Sequence, residues 1–166
     1  LINKFKPEFI INCVGIVKQH PDANNPLVCI SVNSLFPHRL NKLCDLFKIK
    51  LIHISTDCVF SGKTGNYTEN QPSDSTDLYG KSKFLGEVNT NNAITLRTSY
   101  IGEELVTKRG LLSWFLAQQG IIRGFSKAIY SGLTTLEIAK VIEKFVMPNK
   151  SLKGIYNLSS NPIDKF

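Results

Sequence analysis

Three nearly continuous apolar segments punctuate the chain and predict strands of a parallel sheet. They cover residues 7–15, 50–56 and 93–99, and residues 154–160 predict one more short strand. Strands that are apolar on both faces are typical of the centre of a parallel sheet, because helices cover both of its sides. We therefore expect the segment at 7–15 to be a central strand.

Segments with helical spacing of apolar residues lie between these strands. Residues 27–48 form one such segment, and Pro37 inside it predicts a kink, because proline removes a backbone donor. A second helix is expected over residues 78–88. The candidates for its N-cap are the polar residues that precede it: Ser75, Thr76 and Asp77.

Two later segments complete an alternating pattern of strands and helices. Residues 111–119 and 134–146 predict further helices, the second of them amphipathic. Such alternation is typical of a parallel α/β sheet with helices on both faces, so we expect a three-layer α/β/α fold. In the helix at 134–146, five apolar residues are expected to face inward: Leu136, Ile138, Ala139, Ile142 and Val146.

Polar residues stand where the predicted strands end. The carboxyl ends of parallel strands meet at one edge of a sheet, and ligands bind beyond that edge. A long polar loop over residues 57–77 follows one of these ends, and a loop of that length is usually functional or disordered. The residues expected along this edge are Asn12, Ser55, Thr56, Asp57, Arg97, Thr98 and Ser99.

Length and charge narrow the classes of function. The 166 residues fit one domain, and no apolar run reaches the roughly 18 residues that a membrane span needs. The net charge is +7, but the 20 basic residues are dispersed along the chain. This pattern does not favour a nucleic-acid surface; a phosphate-bearing small ligand or a plain solvated basic surface both fit it.

The four cysteines predict neither a metal site nor a disulfide framework, because no two of them form a CxxC pair. Their near-regular spacing is typical of small apolar positions in a core. Dispersed free thiols fit a reducing compartment, so we expect a cytoplasmic protein. The residues are Cys13, Cys29, Cys44 and Cys58.

Tyr79 and Lys83 have the spacing that points most directly to chemistry. Four residues apart, they share a helix face, and Tyr79 lies in the first turn, at the positive end of the helix dipole. The positive end of the dipole and the ammonium of Lys83 both favour an ionised phenol. Lowering the pKa of the phenol from about 10 to about 7 takes roughly 4 kcal/mol. This spacing also occurs on ordinary helix surfaces. The strand that ends at Thr56 and the loop after it favour a shared site.

Several sequence blocks in a fixed order make the indication more specific. Taken together they resemble the extended short-chain dehydrogenase/reductase superfamily, and within it the dTDP-4-dehydrorhamnose reductase group. The resemblance extends over the whole chain and implies an NAD(P)-binding Rossmann-like fold. It implies a core at about residues 1–100 and a substrate-binding portion at about 100–166. The blocks are "PEFIINCVG", "VNSLFPHRL", "HISTDCVFSG", "YGKSKFLGE" and "LRTSYIG".

The resemblance implies that NADPH or NADH reduces a 4-keto nucleotide sugar, in the synthesis of a cell-surface polysaccharide precursor. Tyr79 would protonate the developing alkoxide, Lys83 would bind the nicotinamide ribose, and Thr56 would hydrogen-bond the carbonyl oxygen. No metal, nucleic acid or membrane is implied, and a homodimer is left open. Cofactor contacts are implied at Asn12, Cys13, Val14, Gly15, Ser55, Tyr79 and Lys83, and substrate contacts at Asp57, Val59, Phe60, Arg97, Thr98 and Ser99.

The chain departs from the family pattern in two places. The glycine-rich turn GxxGxxG, which holds the cofactor pyrophosphate, does not occur in the 166 residues. We expect the sequence to begin after that turn and to end before the last helical part of the family. The segment "YIGEELVTKRGLLSWF" also differs, so we expect a sugar other than that of the rhamnose enzymes.

Two other functions stay open. An epimerase or dehydratase of the same superfamily would use the same Tyr–Lys pair, although dehydratases usually carry more acidic residues beside the strand-end threonine than "TDC" does. A non-catalytic dinucleotide-binding regulatory subunit is the other candidate. The complete set of Thr56, Tyr79 and Lys83 argues against it.

Several candidate residues have a simpler structural explanation. Thr56 could cap the loop that follows it, and Asp57 could bond loop backbone. Asn33 suits a proton relay and a structural role at the kink equally well. Spacing implies no partner for the three histidines, which we expect to be structural: His20, His38 and His53. We expect Trp114 to be a core residue or a wall of the substrate pocket rather than a catalytic group.

Overall fold

The computed structural model describes residues 2–104 and 110–165, so residues 105–109 of the segment "YIGEELVTKRGLLSWF" lie outside the described part. The chain divides into two compact units, residues 1–97 with 149–157 and residues 98–148 with 158–166. In chain order the elements are α1 (Ile2–Phe5), β1 (Phe9–Asn12), α2 (Pro26–Cys29), a π-helical segment (Ile30–Leu35), α3 (Phe36–Leu46), β2 (Lys50–Ser55), a 3₁₀ turn (Asp57–Val59), α4 (Leu78–Leu85), β3 (Ala93–Arg97), β4 (Tyr100–Ile101), α5 (Leu111–Leu116), β5 (Phe125–Tyr130), β6 (Leu133–Thr134), α6 (Thr135–Val141), a second π-helical segment (Ile142–Val146), β7 (Gly154–Asn157) and β8 (Ile163–Lys165).

The first unit is built on a four-stranded parallel sheet with the order β1-β2-β3-β7, which confirms the predicted parallel α/β class. Ser55 pairs in register with Arg97, and Arg97 with Asn157, so the polar strand ends of this unit do share one edge. The expectation that β1 is central was wrong. Among the described residues only β2 pairs with β1, and Ile11 is 45% exposed.

An apolar cluster fixes α3 against one face of this sheet. Cys44 of α3 and Leu51 of β2 are fully buried and pack together with Val88 and Ala93. Leu40 adds a second contact from α3. Removal of these side chains from water is the main stabilising contribution in this part of the unit.

The predicted kink at Pro37 takes the form of a π-helical segment that ends just before it. Pro37 has no N–H, so the carbonyl of Asn33 lacks the partner it would have in an α-helix. The Phe36 N–H donates to the carbonyl of Ser31, five residues earlier, as in a π-helix. Gly86 fills the space in front of this carbonyl. A Cβ at residue 86 would lie 1.8 Å from the Asn33 oxygen, so only glycine allows the close approach.

The other predicted helices form, with shorter α-helical cores. Helix α4 ends at Leu85, and Asp77 is its N-cap, with Oδ1 accepting the Gly80 N–H at 2.8 Å. In α6 and the π segment after it, Ile138, Ile142 and Val146 are buried as expected. Leu136 is 65% exposed, because it lies two residues before Ile138 and therefore on the opposite helix face.

The second unit contains two small sheets that the sequence pattern did not predict. Strands β4 and β6 pair in parallel, and β5 pairs antiparallel with β8. The two strands of the first pair are only two residues long, which is too short for a period of two to be recognised. Ala139, expected to face inward in this unit, is exposed.

The contact at Gly86 predicts that Gly86→Ala destabilises the protein by about 2 kcal/mol or more, because neither backbone can move away cheaply. Gly110→Ala is a matched control, since the three atoms nearest to its new Cβ all belong to the side chain of Glu104, the closest at 3.2 Å. Urea unfolding of both variants measures the difference. Equal loss of stability in the two variants would show that the close approach is unimportant.

Candidate active site

The first turn of α4 is packed tightly against Ser75 and the 3₁₀ turn that follows β2. Gly80 makes this contact, because a Cβ there would lie 2.1 Å from Ser75 Oγ and 2.3 Å from the Cys58 carbonyl oxygen. The Asp77 cap fixes the same turn from its other side. The partly buried Tyr79 is thereby held beside the segment that begins at Thr56.

Lys83 lies one turn further along α4 and is only 5% exposed. Its Nζ donates to the carbonyl oxygen of Ile54, at 2.8 Å. Burial lowers the pKa of Lys83 to about 8, although the charge of Glu87 acts in the opposite direction. A Cβ on Gly15 would lie 3.7 Å from Nζ, so the structure brings the predicted lysine to the predicted cofactor segment.

A buried amide joins that segment to α4. Asn33 accepts the Ile16 N–H at 2.8 Å and donates to the Ile16 carbonyl at 3.0 Å and to Ser82 Oγ at 3.1 Å. Of the two roles considered for Asn33, these bonds support the structural one. All the polar atoms of the side chain have partners, as burial requires.

The segment after β1 combines one buried and three exposed positions. Asn12 is buried; its Nδ2 bonds His53 Nδ1 at 3.0 Å and its Oδ1 accepts the Val14 N–H at 3.1 Å. Burial, together with the charges of Lys83 and His38, lowers the pKa of His53 to about 3, so this ring is neutral. Cys13, Val14 and Gly15 are exposed and can contact a ligand, whereas Asn12 shapes the turn.

Thr56 caps the 3₁₀ turn that follows β2. Its Oγ1 accepts the Cys58 N–H at 3.1 Å and donates to Asp57 Oδ1 over a longer 3.3 Å. The side chain is 5% exposed. Asp57 itself is exposed, so it remains accessible to a ligand while bonding its neighbour.

Arg97 forms a buried ion pair that the sequence analysis did not predict. Its Nε and Nη2 donate to the two carboxylate oxygens of Glu87, each at 2.8 Å, and Ser55 Oγ donates to the same carboxylate at 2.9 Å. Arg97 and Ser55 are both less than 5% exposed. This geometry supports a positioning role for the two residues. The acidic residue of the "YGKSKFLGE" block was the available signal for the pair.

The polar loop at 57–77 is attached to the sheet through its aromatic and polar side chains. Phe60 stacks on Tyr67 with 4.4 Å between ring centroids, and the Arg97 guanidinium lies 5.0 Å from the Phe60 ring. Asn157 of β7 donates to the Tyr67 carbonyl and, through its N–H, to Glu69. Val59, predicted to contact substrate, is fully buried, which supports a packing role.

Two predicted substrate residues and Trp114 belong to the second unit. Thr98 is 3% exposed, and its hydroxyl donates to the carbonyl of Ser99. The same carbonyl accepts the Leu133 N–H at 3.0 Å, beside the β4–β6 pair. Trp114 is 46% exposed, so it is not a core residue of this unit.

Lys18 is a second cation at this site, and no pattern in the sequence indicated it. Its Nζ lies 2.9 Å from Asp77 Oδ2 and 5.7 Å from the centre of the Tyr79 ring. Lys18 and Asp77 are 59 residues apart, so local spacing gave no signal of the contact.

The exposed face of Gly15, Cys13 and Val14 beside the Lys83 ammonium fits the nicotinamide ribose of a dinucleotide.

Within residues 2–104 and 110–165, no group of three or more His, Cys, Asp or Glu side chains could hold a metal ion. In the same ranges, no helix is long and apolar enough to span a membrane. All four cysteines are free thiols.

The buried charge of Lys83 predicts a pH-dependent stability. The folded pKa of about 8 lies below the ordinary lysine value of 10.5, a difference that corresponds to about 3 kcal/mol. Below pH 8 both states carry the proton and the folded state bears the full cost of burial. Lys83→Met is therefore expected to be more stable than wild type at pH 7 by about 1–3 kcal/mol, and this advantage shrinks between pH 8 and pH 10.5.

Urea unfolding across this pH range measures the difference, with Lys81→Met as the control. Lys81 lies on the same helix but is exposed, so its loss is expected to leave stability nearly unchanged at every pH. A Lys83→Met protein that is less stable than wild type at pH 7, or equally affected at pH 7 and pH 10, would contradict the assignment.

Comparison with known proteins places this geometry in a family. A family model described as the RmlD substrate binding domain matches residues 1–119. The chain is 36% identical over 107 residues to the probable low-salt glycan biosynthesis reductase Agl14 of Haloferax volcanii, covering 61% of this chain and 35% of that protein. It is 37% identical over 122 residues to the spore coat polysaccharide biosynthesis protein SpsK of Bacillus subtilis, covering 68% of this chain and 41% of that protein.

The fold matches that of a solved dTDP-4-dehydrorhamnose reductase from Bacillus anthracis in complex with NADP, with a TM-score of 0.82 and 23% identity. That match covers 98% of this chain and 60% of the solved chain. The chain therefore spans less than half the length of the two curated relatives and about 60% of the length of the solved structure. Because the family model matches well over half of its residues, the chain belongs to the family of the RmlD substrate binding domain.

Proposed function

We propose that the protein containing this chain reduces the keto group of a nucleotide sugar with NADPH or NADH, in the cytoplasm. The observation that carries the proposal is the arrangement at α4: Tyr79 in a rigid first turn, with the buried ammonium of Lys83 one turn behind it. Membership of the family supports the same reaction, as do relatives named as reductases. A 4-keto sugar linked to dTDP is the substrate class that these names favour.

The cofactor, when bound, supplies the hydride; the chain supplies the proton and the positioning. Tyr79 donates its phenolic proton to the carbonyl oxygen as negative charge develops there. Lys83 stabilises the resulting phenolate through its charge and binds the cofactor ribose. Thr56 turns its hydroxyl from the long bond to Asp57 towards the same substrate oxygen.

Five exposed or partly buried positions are proposed to contact ligands directly. Cys13, Val14 and Gly15 line the nicotinamide ribose, opposite Lys83. Asp57 and the exposed side of Phe60 face the sugar nucleotide from the polar loop. Arg97 acts indirectly, because it holds Phe60 and the polar loop in place.

The test is cofactor oxidation by the full-length protein as the gene encodes it, with dTDP- and UDP-linked 4-keto sugars as substrates. Tyr79→Phe is expected to lower kcat by about 10²–10⁴-fold while KM changes little, because the ring still packs but the proton is gone. Tyr100→Phe removes an exposed phenol from the second unit and is expected to keep wild-type turnover.

The outcomes separate the competing functions. Turnover that survives Tyr79→Phe to within tenfold would contradict the assigned proton donor. Interconversion of sugars without net cofactor consumption would favour an epimerase, and tight cofactor binding without turnover of any sugar would favour a regulatory subunit.

A further inference from the structure

Lys18 joins the segment after β1 to the start of α4. Its Nζ lies 2.9 Å from Asp77 Oδ2, and the two side chains are about equally exposed, at 48% and 49%. The same ammonium is 5.7 Å from the centre of the Tyr79 ring. The ammonium of Lys18 therefore contacts both Asp77, the N-cap of α4, and the ring face of Tyr79 in the first turn of that helix.

Asp77 uses its two oxygens for two different tasks. Oδ1 accepts the Gly80 N–H at 2.8 Å and caps the helix, while Oδ2 receives Lys18. Partial burial acts to raise the pKa of Asp77, but the bond from Gly80 and the charge of Lys18 outweigh it and hold the pKa below its usual value. The pKa of Lys18 is raised in turn: burial is the largest single influence and acts to lower it, but the bond to Asp77 together with the charges of Cys58, Asp77 and Asp57 outweighs burial. Both partners are therefore charged at neutral pH.

We propose that Lys18 is a positioning residue for the proton donor: its ammonium fixes the segment after β1 to the first turn of α4 and stabilises the phenolate form of Tyr79. The proposal rests on the proposed function, in which Tyr79 donates the proton. Lys83, one turn further along α4, is the other cation proposed to stabilise this phenolate. The titratable groups that interact electrostatically with Lys18 are Asp57, Cys58 and Asp77, and those that interact with Lys83 are Cys13, His53 and Glu87.

The two halves of the ion pair must then affect Tyr79 in opposite directions. Loss of the Lys18 charge leaves the Asp77 carboxylate uncompensated near the phenol and disfavours its ionisation. Loss of the Asp77 charge leaves Lys18 uncompensated and favours ionisation. Asp77→Asn makes the second change cleanly, because asparagine caps a helix as well as aspartate does. A purely structural salt bridge gives no such opposition, since either loss merely loosens the same contact.

The experiment measures the ionised fraction of Tyr79 by ¹³Cζ-tyrosine NMR, with the resonance assigned by Tyr79→Phe. At the pH where the wild-type residue is half ionised, Lys18→Met is expected to reduce the ionised fraction to about one quarter or less. Asp77→Asn is expected to raise it to about three quarters. Lys18→Arg, which retains the charge, is expected to remain close to one half.

Lys81→Met is the matched control, because it removes an equal charge from an exposed position two residues from Tyr79, on another face of α4. It is expected to leave the ionised fraction unchanged. Shifts of the same sign in Lys18→Met and Asp77→Asn, or no shift in either, would overturn the proposal. Because the measurement needs no substrate, its result does not depend on whether the protein turns over a sugar. If turnover is present, the pKa in the pH profile of kcat/KM that reports Tyr79 is expected to rise in Lys18→Met and to fall in Asp77→Asn.

Discussion

The fully buried side chain of Asn33 holds the site together, because its amide satisfies the backbone of Ile16 in both directions and also bonds Ser82 of α4. These bonds join the segment proposed to contact the cofactor to the helix that carries Tyr79. The main chain of the same residue depends on Pro37, which frees the Asn33 carbonyl to face Gly86. Helix geometry and site geometry are therefore set by one residue.

Two buried cations meet the cost of desolvation in different ways. Arg97 is paired with both oxygens of Glu87, so its charge is neutralised and its geometry fixed. Lys83 has a single neutral partner among the described contacts of its Nζ, the carbonyl of Ile54, and burial lowers its pKa to about 8. The neutralised charge of Arg97 suits a residue that holds its neighbours in place. The incompletely neutralised charge of Lys83 suits a group that stabilises a neighbouring anion.

The sequence was sufficient for the features that depend on local pattern. The apolar runs of β1, β2 and β3 and the pair Tyr79–Lys83 follow from spacing along one element. The sequence was insufficient where contacts join distant residues, as in Lys18 with Asp77, or where strands of two residues leave no period to detect. The edge position of β1 escaped prediction because an apolar run does not reveal which strands pair with it.

The attachments of the polar loop have a consequence for the order of folding. Arg97 and Asn157 hold the loop at Phe60, Tyr67 and Glu69, and Asn157 belongs to β7, 88 residues beyond Glu69. Contacts of such sequence separation form late. During synthesis, the helix with its tyrosine can assemble on β1 and β2 well before residue 157 leaves the ribosome. The loop above it is completed only when the last strand of the sheet docks, so the nascent chain carries an open site.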